Sequence, residues 1–149
     1  MTPVSIRKAA PGELTWANER YAEIGFMASD SRDLVVIAEV DSVRVGLGRL
    51  VPIEPGAGEL GGIYVLREFR GRSVASLIVR HLVDAGTAVR LYCIPFAPLV
   101  PFYQSFGFRP VEAALPVPEA IAEKVRWCQS KYSQPVRLLA RSPGKARLL

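Results

Sequence analysis

The chain is poor in residues that bind metals or form disulfides. Its 149 residues include one histidine and two cysteines, Cys93 and Cys128. A structural zinc site needs about four clustered nitrogen, sulfur or carboxylate ligands, and a disulfide framework needs several paired cysteines. We therefore expect no metal site. Both cysteines fall in predicted buried elements, so we expect them to be reduced packing residues.

Long hydrophobic runs are absent as well. No stretch reaches the roughly 18 apolar residues that a membrane-spanning helix requires. The first residues, MTPVSIRKAAPGEL, lack the apolar segment of a signal peptide. These absences predict a chain with no membrane partner and a cytoplasmic location.

Acidic residues are outnumbered by basic ones, 14 to 19, which gives a net charge of +5. A basic balance suits a polyanionic ligand, RNA or DNA. The basic residues are scattered, however, and no nucleic-acid module signature occurs, so we expect no nucleic-acid partner. Part of the charge lies in the last segment, ARSPGKARLL, where we predict a flexible basic tail over residues 142–149.

Length and hydrophobic periodicity indicate one domain over residues 1–149, long enough to bury a sizeable core. Patterns of period 2 and period 3.6 alternate along the chain, without repeats or a linker. They predict strands at 4–8, 35–40, 44–50, 59–66, 89–94, 108–112 and 136–140, and helices at 13–28, after the turn at 70–75, at 97–105 and from Pro118. Residues 52–58 read as a turn-rich loop. The order predicts mixed α and β structure around one sheet.

The most informative segment is residues 61–83, GGIYVLREFRGRSVASLIVRHLV, where a β-rich run joins an amphipathic helix through a short turn. In the turn RGRSVA, residues 70–75, a glycine and small side chains permit close approach of a ligand. The helix that follows begins with unpaired N–H groups, which attract phosphate. Neither a Walker loop nor a GxGxxG fingerprint occurs. An ordinary strand-to-helix connection with a basic rim is the alternative.

This turn resembles motif A of the GNAT superfamily of N-acetyltransferases, which wraps the pyrophosphate of coenzyme A. The family pattern is Arg or Gln, two residues, Gly, one residue, then Gly or Ala. Arg70 and Ala75 match, and Ser73 stands in place of the middle glycine. Serine fits if this position keeps ordinary helical dihedral angles, and its hydroxyl is able to donate to a phosphate oxygen.

A second segment, LYCIPFAPLVPFYQSFGF at residues 91–108, resembles motif B of the same family. Its ending contains Tyr103, Gly107 and Phe108 in the pattern FYxxxGF, whereas Phe96 replaces an asparagine that the family often has. The resemblance covers nearly the whole chain. It implies an α/β (α+β) fold with a mixed, mostly antiparallel sheet flanked by helices, in a single acetyltransferase-like domain. It further implies acetyl transfer from acetyl-CoA to a primary amine by direct attack.

The resemblance also assigns residues that bind the cofactor. The turn would hold the pyrophosphate, and the backbone of residues 63–65 would pair with pantetheine. The predicted cofactor-binding residues are Ile63, Tyr64, Val65, Arg70, Gly71, Arg72, Ser73, Val74 and Ala75. Gly61 and Gly62, poor strand formers, mark either a bulge or close backbone approach, or a bend without catalytic meaning.

Two side chains are the catalytic candidates. An amine with a pKa of about 10.4 must lose a proton before attack, and Glu59, which begins the same strand, resembles the family's general base. A solvated surface carboxylate is the alternative. Tyr103 resembles the general acid: a phenol of pKa about 10 protonates a thiolate whose pKa is about 8.5 at a cost of about 2 kcal/mol. A buried tyrosine that donates to a carbonyl is the alternative.

The acceptor pocket is the least defined part of the predicted site. Arg20 lies on the apolar face of the first predicted helix, where it either lines the pocket or pairs with an acid. Trp127 lies off the core stripe of the last helix, where it packs under a loop, lines the pocket or forms a homodimer contact. His81 falls near the centre of an apolar stripe, so we expect a core histidine. A catalytically silent acyl-CoA-binding module is the second function, and a nucleic-acid binder ranks last.

Overall fold

The computed structural model describes residues 3–112 and 115–144. Within them lie seven strands, β1 (Ser5–Lys8), β2 (Leu34–Val40), β3 (Val43–Glu54), β4 (Ala57–Val65), β5 (Arg90–Cys93), β6 (Arg109–Pro110) and β7 (Leu139–Arg141). The α-helices of the same residues are α1 (Leu14–Glu23), α2 (Val74–Ala85), α3 (Val100–Gln104) and α4 (Glu119–Lys131). None of these helices is long and apolar enough to cross a bilayer.

The strands form one sheet in the order β1-β2-β3-β4-β5-β7-β6. The β4–β5 pair is parallel, whereas β1–β2, β2–β3, β5–β7 and β6–β7 are antiparallel. The predicted mixed, mostly antiparallel sheet with flanking helices is thus confirmed. By contacts the chain divides into two compact units, and β4 contributes residues to both.

The first unit comprises Met1–Val51 and Gly62–Ala85. Helix α2 packs against β3 so closely that a Cβ added at Gly48 would lie 2.6 Å from Ile78 Cγ2. Burial of this apolar helix face is a main source of the unit's stability, since each buried aliphatic side chain contributes about 1.5–3 kcal/mol. A second cluster surrounds helix α1 and is formed by Ala17, Tyr21, Val35 and Leu47.

The second unit comprises Pro52–Gly61 and Gly86–Leu149. In its part of the sheet, β5 lies between the start of β4 and β7, with Glu59 opposite Tyr92 and Tyr92 opposite Ala140. Tyr92 and Ala140 pack with Ile121 of α4 in one apolar cluster. The parallel pairing of β4 and β5 therefore places Glu59 beside the centre of this unit.

Several predicted boundaries were wrong because local backbone geometry ends elements that the apolar pattern continues. The first helix stops at Glu23, since Gly25 adopts a φ of 72° and the Phe26 N–H returns to the Tyr21 carbonyl. The predicted loop at 52–58 is mostly strand, because β3 continues to Glu54 and β4 starts at Ala57. A two-residue turn with positive φ at Asp41 and Ser42 joins β2 to β3, as hairpins prefer.

The predicted basic tail falls largely beyond the part of the chain that the structure describes, because residues 145–149 lie outside it. Residues 142–144 are described. The Gly144 N–H donates to the Thr87 carbonyl over 2.8 Å, and Arg90 Nη1 approaches Ser142 Oγ at 3.5 Å. These three residues are therefore held against the second unit.

Candidate active site

The predicted phosphate turn lies in the first unit, where β4 ends and α2 begins. A short 3₁₀ turn at Arg67–Phe69 leads into two left-handed residues, Gly71 at a φ of 79° and Ser73 at 62°. The expectation that position 73 keeps helical dihedral angles was therefore wrong. Glycine adopts this conformation freely, whereas an L-residue with a Cβ is strained in it by about 1–2 kcal/mol. The chain thus retains the backbone shape that a glycine would favour.

The arginines of the turn contact neighbouring groups in the same unit. Arg70 Nε donates to the Val65 carbonyl over 3.0 Å, and its guanidinium lies 5.9 Å from the ring centroid of Tyr64. Arg72 lies over Phe69 at 5.2 Å. The Arg70 side chain therefore ties the turn to the end of β4. The backbone N–H groups of the turn and of the first residues of α2 are not engaged by these two side chains.

Strand β4 has an irregular position at Gly62, where φ is 61°. The Gly62 carbonyl accepts a 2.8 Å hydrogen bond from the Tyr21 hydroxyl, and a Cβ at residue 62 would lie 2.5 Å from that oxygen. Close approach was predicted at Gly61 and Gly62, and the group that approaches Gly62 is this tyrosine. Burial is the main cause of the raised pKa of Tyr21, so its hydroxyl remains a donor.

Arg49 fixes that tyrosine in place. Its guanidinium lies 4.2 Å from the Tyr21 ring centroid and donates to the Met27 carbonyl at 2.9 Å and to Ser29 Oγ at 2.7 Å. Arg49 is only 4% exposed. A buried charge persists only when its donors are satisfied and its charge is compensated, which the carbonyl, hydroxyl and aromatic face help to do here. The position of Gly62 is thus set by a buried polar network.

In the second unit, Glu59 of β4 is buried, with 4% of its surface exposed. Its Oε1 accepts from Lys124 Nζ of α4 over 2.7 Å. A Cβ added at Gly61 would lie 3.6 Å from Oε2, so the missing side chain at residue 61 leaves that oxygen's flank open. Glu59 is therefore a buried ion-pair partner, and the solvated alternative does not hold.

Tyr103 projects from the short helix α3 and is 7% exposed. Its ring meets Phe102 and Phe108 edge to face, at centroid distances of 5.0 and 6.1 Å. Within the described residues its hydroxyl makes no hydrogen bond to the protein, so the alternative of a carbonyl partner finds no support. Burial, with a smaller effect of Cys93, raises the pKa of Tyr103. The phenol is thus neutral at physiological pH.

Two further residues belong to the surroundings of Glu59 and Tyr103. Cys93, the last residue of β5, is a free, buried cysteine, as predicted. Burial first, and the Glu59 charge second, raise the pKa of the Cys93 thiol. Lys124 was not predicted as a site residue. Its place one turn before the buried Cys128 on α4 was the available signal.

The two predicted acceptor residues have protein contacts of their own. Arg20 pairs with Glu23 at 2.8 Å and lies 5.6 Å from the Trp16 ring centroid, while its Nε is buried without a partner. Trp127 meets Tyr132 edge to face at 5.7 Å. Arg20 belongs to the first unit and Trp127 to the second.

His81 is exposed, so the core histidine prediction was wrong. Helix α2 buries Val74, Ile78 and Leu82, and a second row at Val79 and Val83. These two rows centre the apolar face on the side of Leu82, so residues 77, 81 and 85 lie along its edge rather than at its centre. Among the described residues, no group of three or more His, Cys, Asp or Glu is placed to hold a metal ion.

A match to a family model settles the class of this protein. The model of the acetyltransferase (GNAT) family matches residues 5–108, which is more than half of the chain. The chain belongs to this family of acetyltransferases. A search of curated proteins gave no significant match.

Solved structures show the same fold at low sequence identity. Over 97% of this chain, N-acetylglutamate synthase from Neisseria gonorrhoeae, complexed with coenzyme A and L-arginine, aligns at 17% identity and a TM-score of 0.72. This chain spans 34% of that synthase. A GNAT family acetyltransferase from Elizabethkingia anophelis with acetyl-CoA bound aligns over 93% of this chain and 97% of its own, at 14% identity and a TM-score of 0.67. An IAA acetyltransferase from Bacillus cereus aligns over 93% and 99%, at 18% identity and a TM-score of 0.64.

Proposed function

We propose that this protein transfers an acetyl group from acetyl-CoA to a primary amine by direct attack of the amine on the thioester. The observation that carries the proposal is the left-handed turn before α2, with Gly71 and Ser73 at positive φ inside the segment that the family model matches. Such a turn exposes main-chain N–H groups to a diphosphate at the positive end of a helix.

The cofactor is proposed to bind through backbone groups of the first unit. Residues 70–75 hold the pyrophosphate, and α2, which is 12 residues long, adds the field of its N-terminus. Residues 63–65 pair with pantetheine, and an N–H near Val65 contacts the tetrahedral oxyanion. Arg70 acts indirectly, because its side chain already donates to the Val65 carbonyl.

Glu59 is the proposed general base. Its Oε2 is the oxygen that Lys124 does not use, and the flank of this oxygen is open at Gly61. An ammonium acceptor would give its proton to Oε2 directly or through water, while Lys124 supplies a positive charge that holds the carboxylate in position.

Tyr103 is the proposed general acid. Its raised pKa keeps the phenol protonated, but it also makes complete proton transfer to a thiolate more costly than for an ordinary phenol. The phenol is therefore proposed to stabilise the departing sulfur mainly as a hydrogen-bond donor, with transfer completed as the thiolate leaves. Alignment within one hydrogen bond is what offsets the cost.

The acceptor amine is not identified by these residues. Arg20 and Trp127 remain proposed pocket residues, with a homodimer contact at Trp127 as the alternative. An acceptor carrying a carboxylate would suit the buried, unpartnered Nε of Arg20. Sedimentation of wild type and Trp127→Ala separates the dimer contact from a pocket role, because only the former changes mass.

A thermal-shift titration with acetyl-CoA, followed by an amine panel monitored for free thiol, tests the proposal. Ligand at about 100 times its dissociation constant adds roughly 2.7 kcal/mol of stability, which raises the melting temperature. Thiol release that depends on one class of amine identifies the acceptor. An unchanged melting temperature at saturating cofactor would contradict the proposal.

A catalytically silent acyl-CoA-binding module is the second candidate, and the Lys124–Glu59 ion pair is the observation that favours it. If the pair is only structural, Glu59→Gln and Lys124→Gln lower stability alike and neither changes thiol release. If Glu59 is the base, Glu59→Gln lowers turnover by about a hundredfold or more, within the range of general acid–base catalysis. Lys124→Gln keeps the Glu59 carboxylate but removes the charge that positions it, so its turnover should fall by less than that of Glu59→Gln.

A further inference from the structure

A positively charged groove lies in the second unit, at the edge formed by β6 and β7. The groove has a volume of about 560 Å³, and three arginines, Arg90, Arg109 and Arg141, line it. One acid, Glu112, also lines the groove. Its volume falls within the range of small-molecule sites. Its charge is positive overall, since three guanidiniums face a single carboxylate.

Within the described residues, none of these arginines forms an ion pair with a carboxylate. Elsewhere in the same residues, Arg7, Arg20, Arg32, Arg44 and Arg126 each pair with an acid. Three guanidiniums with a single carboxylate in the same groove leave a net positive charge, which a bound anion would offset. The net positive charge of the groove is therefore suited to an anionic ligand.

Two of the arginines are held in place by the protein. Arg141 Nε donates to the Phe106 carbonyl over 2.9 Å, and its stem lies against Gly107, where an added Cβ would be 3.3 Å from Nε. Arg90 Nε donates to the Tyr92 hydroxyl over 3.2 Å. In both cases the protein uses Nε, and Arg90 Nη1 also approaches Ser142 Oγ at 3.5 Å. Nη2 of Arg90 and both terminal nitrogens of Arg141 are left for a ligand. Positioned guanidiniums bind phosphate through paired hydrogen bonds.

The rest of the groove is suited to an organic group. Val111 and Leu115 form part of its wall, and Leu115 is 51% exposed. An exposed leucine beside three arginines gives the site an apolar side and a charged side. Small-molecule sites commonly combine an apolar wall with a few placed polar groups.

We propose that this groove binds the phosphate monoester group of a small organic molecule, with the arginines on the phosphate and the side chains of Val111 and Leu115 on the organic body. The groove is separate from the end of β5 that carries Cys93, the residue described with the proposed catalytic residues, because Arg90 and Cys93 are the first and last residues of that strand. Three residues along a strand correspond to about 10 Å.

Calorimetric titration of the whole protein with phenyl phosphate, in the presence of saturating acetyl-CoA, tests this assignment. The cofactor is added because the turn at residues 70–75 is itself proposed to bind phosphate. Inorganic phosphate is the probe without an apolar body. We expect phenyl phosphate to bind, more tightly than inorganic phosphate, with an affinity that falls as salt is raised.

Arg109→Gln is the critical variant, because Arg109 is exposed and its removal leaves the fold's own contacts intact. We expect it to weaken phenyl phosphate about tenfold, the effect of losing one charge-assisted hydrogen bond. Arg126→Gln removes the same charge from an exposed arginine of α4 in the same unit and should leave the affinity unchanged. Arg141→Lys keeps the charge but loses the paired geometry, so its affinity should fall too.

The proposal is overturned by any of four results. One is the absence of phenyl phosphate binding to wild type at about 10 mM, ten times a weak millimolar constant. Another is equal affinity in Arg109→Gln and wild type, and a third is an equal loss in Arg126→Gln. The fourth is binding that occurs only without acetyl-CoA, which would place the phosphate at the turn. If acetyl-CoA itself does not bind, the proposed function is contradicted. The comparison of Arg109→Gln with Arg126→Gln still tests whether the groove binds phenyl phosphate.

Discussion

Replacing Ser73 by glycine should stabilise the protein, because this serine occupies a backbone conformation that favours glycine. Its φ of 62° lies in the left-handed region. The strain on an L-residue there is about 1.5 kcal/mol. Glycine also gains about 0.7 kcal/mol of entropy in the unfolded chain, which opposes the gain. The difference predicts that Ser73→Gly raises the free energy of unfolding by about 0.8 kcal/mol.

Ser73→Ala is the matched control, since alanine keeps the Cβ and therefore the strain. Position 73 is exposed, so loss of the hydroxyl should change stability by no more than about 0.5 kcal/mol. Urea unfolding at constant pH gives both values, and the melting temperature of the glycine variant should rise by about 2–3 °C. Equal stability of the glycine and alanine variants would refute the strain argument.

The same two variants separate backbone shape from hydroxyl chemistry at the proposed cofactor turn. If the Ser73 hydroxyl donates to a phosphate, both substitutions weaken acetyl-CoA, since both remove it. If only the backbone binds, Ser73→Ala leaves the affinity unchanged. Titration calorimetry with acetyl-CoA distinguishes these results without any measurement of turnover.

Tyr103→Phe should lower turnover about tenfold to a hundredfold with little change in acetyl-CoA affinity, and equal turnover would remove Tyr103 from the mechanism. The Cys93 thiol has a folded-state pKa above its ordinary 9.0, so its contribution to stability is complete below pH 9 and is lost as pH rises further. Urea midpoints from about pH 8 to 10 should therefore fall less steeply in Cys93→Ala than in wild type. Arg7 lowers the pKa of Glu13 from 4.5 to about 2, so that contribution is complete above pH 4.5 and is lost as pH falls toward 2. In Glu13→Gln the urea midpoint should therefore depend less on pH between pH 4.5 and 2 than in wild type. An unchanged pH dependence would contradict this prediction.

The fold and the position of the turn at residues 70–75 were accessible from sequence because their signals are local. Strand alternation, an amphipathic helix and a six-residue turn all lie within residues 61–83, and each depends on neighbours along the chain. The FYxxxGF ending likewise predicted a tyrosine on a short helix before a glycine, and Gly107 has the φ of 92° that such a turn requires.

The ion pair of the second unit was not accessible, because its partners are 65 residues apart. Sequence alone left Glu59 as either a general base or a solvated carboxylate, and only the position of Lys124 on α4 identifies it as a buried ion-pair partner. The prediction that His81 is a core histidine was wrong for a related reason. The apolar stripe of α2 is broad, and only packing against the sheet decides which side is buried. Sequence periodicity thus predicts how wide the apolar face of a helix is better than it predicts which residue lies at the centre of that face.

The segment between Gly62 and Arg70 is held at both ends by side chains of the first unit. At one end the Tyr21 hydroxyl holds the Gly62 carbonyl, and Arg49 holds that tyrosine. At the other end Arg70 Nε holds the Val65 carbonyl. Residues 63–65, proposed to pair with pantetheine, thus lie between two fixed points of the first unit. Binding to an ordered segment avoids the cost of immobilising it, which is about 1–2 kcal/mol per backbone residue. Strain at Ser73 lies outside these anchors, so its relief should change stability without loosening the segment.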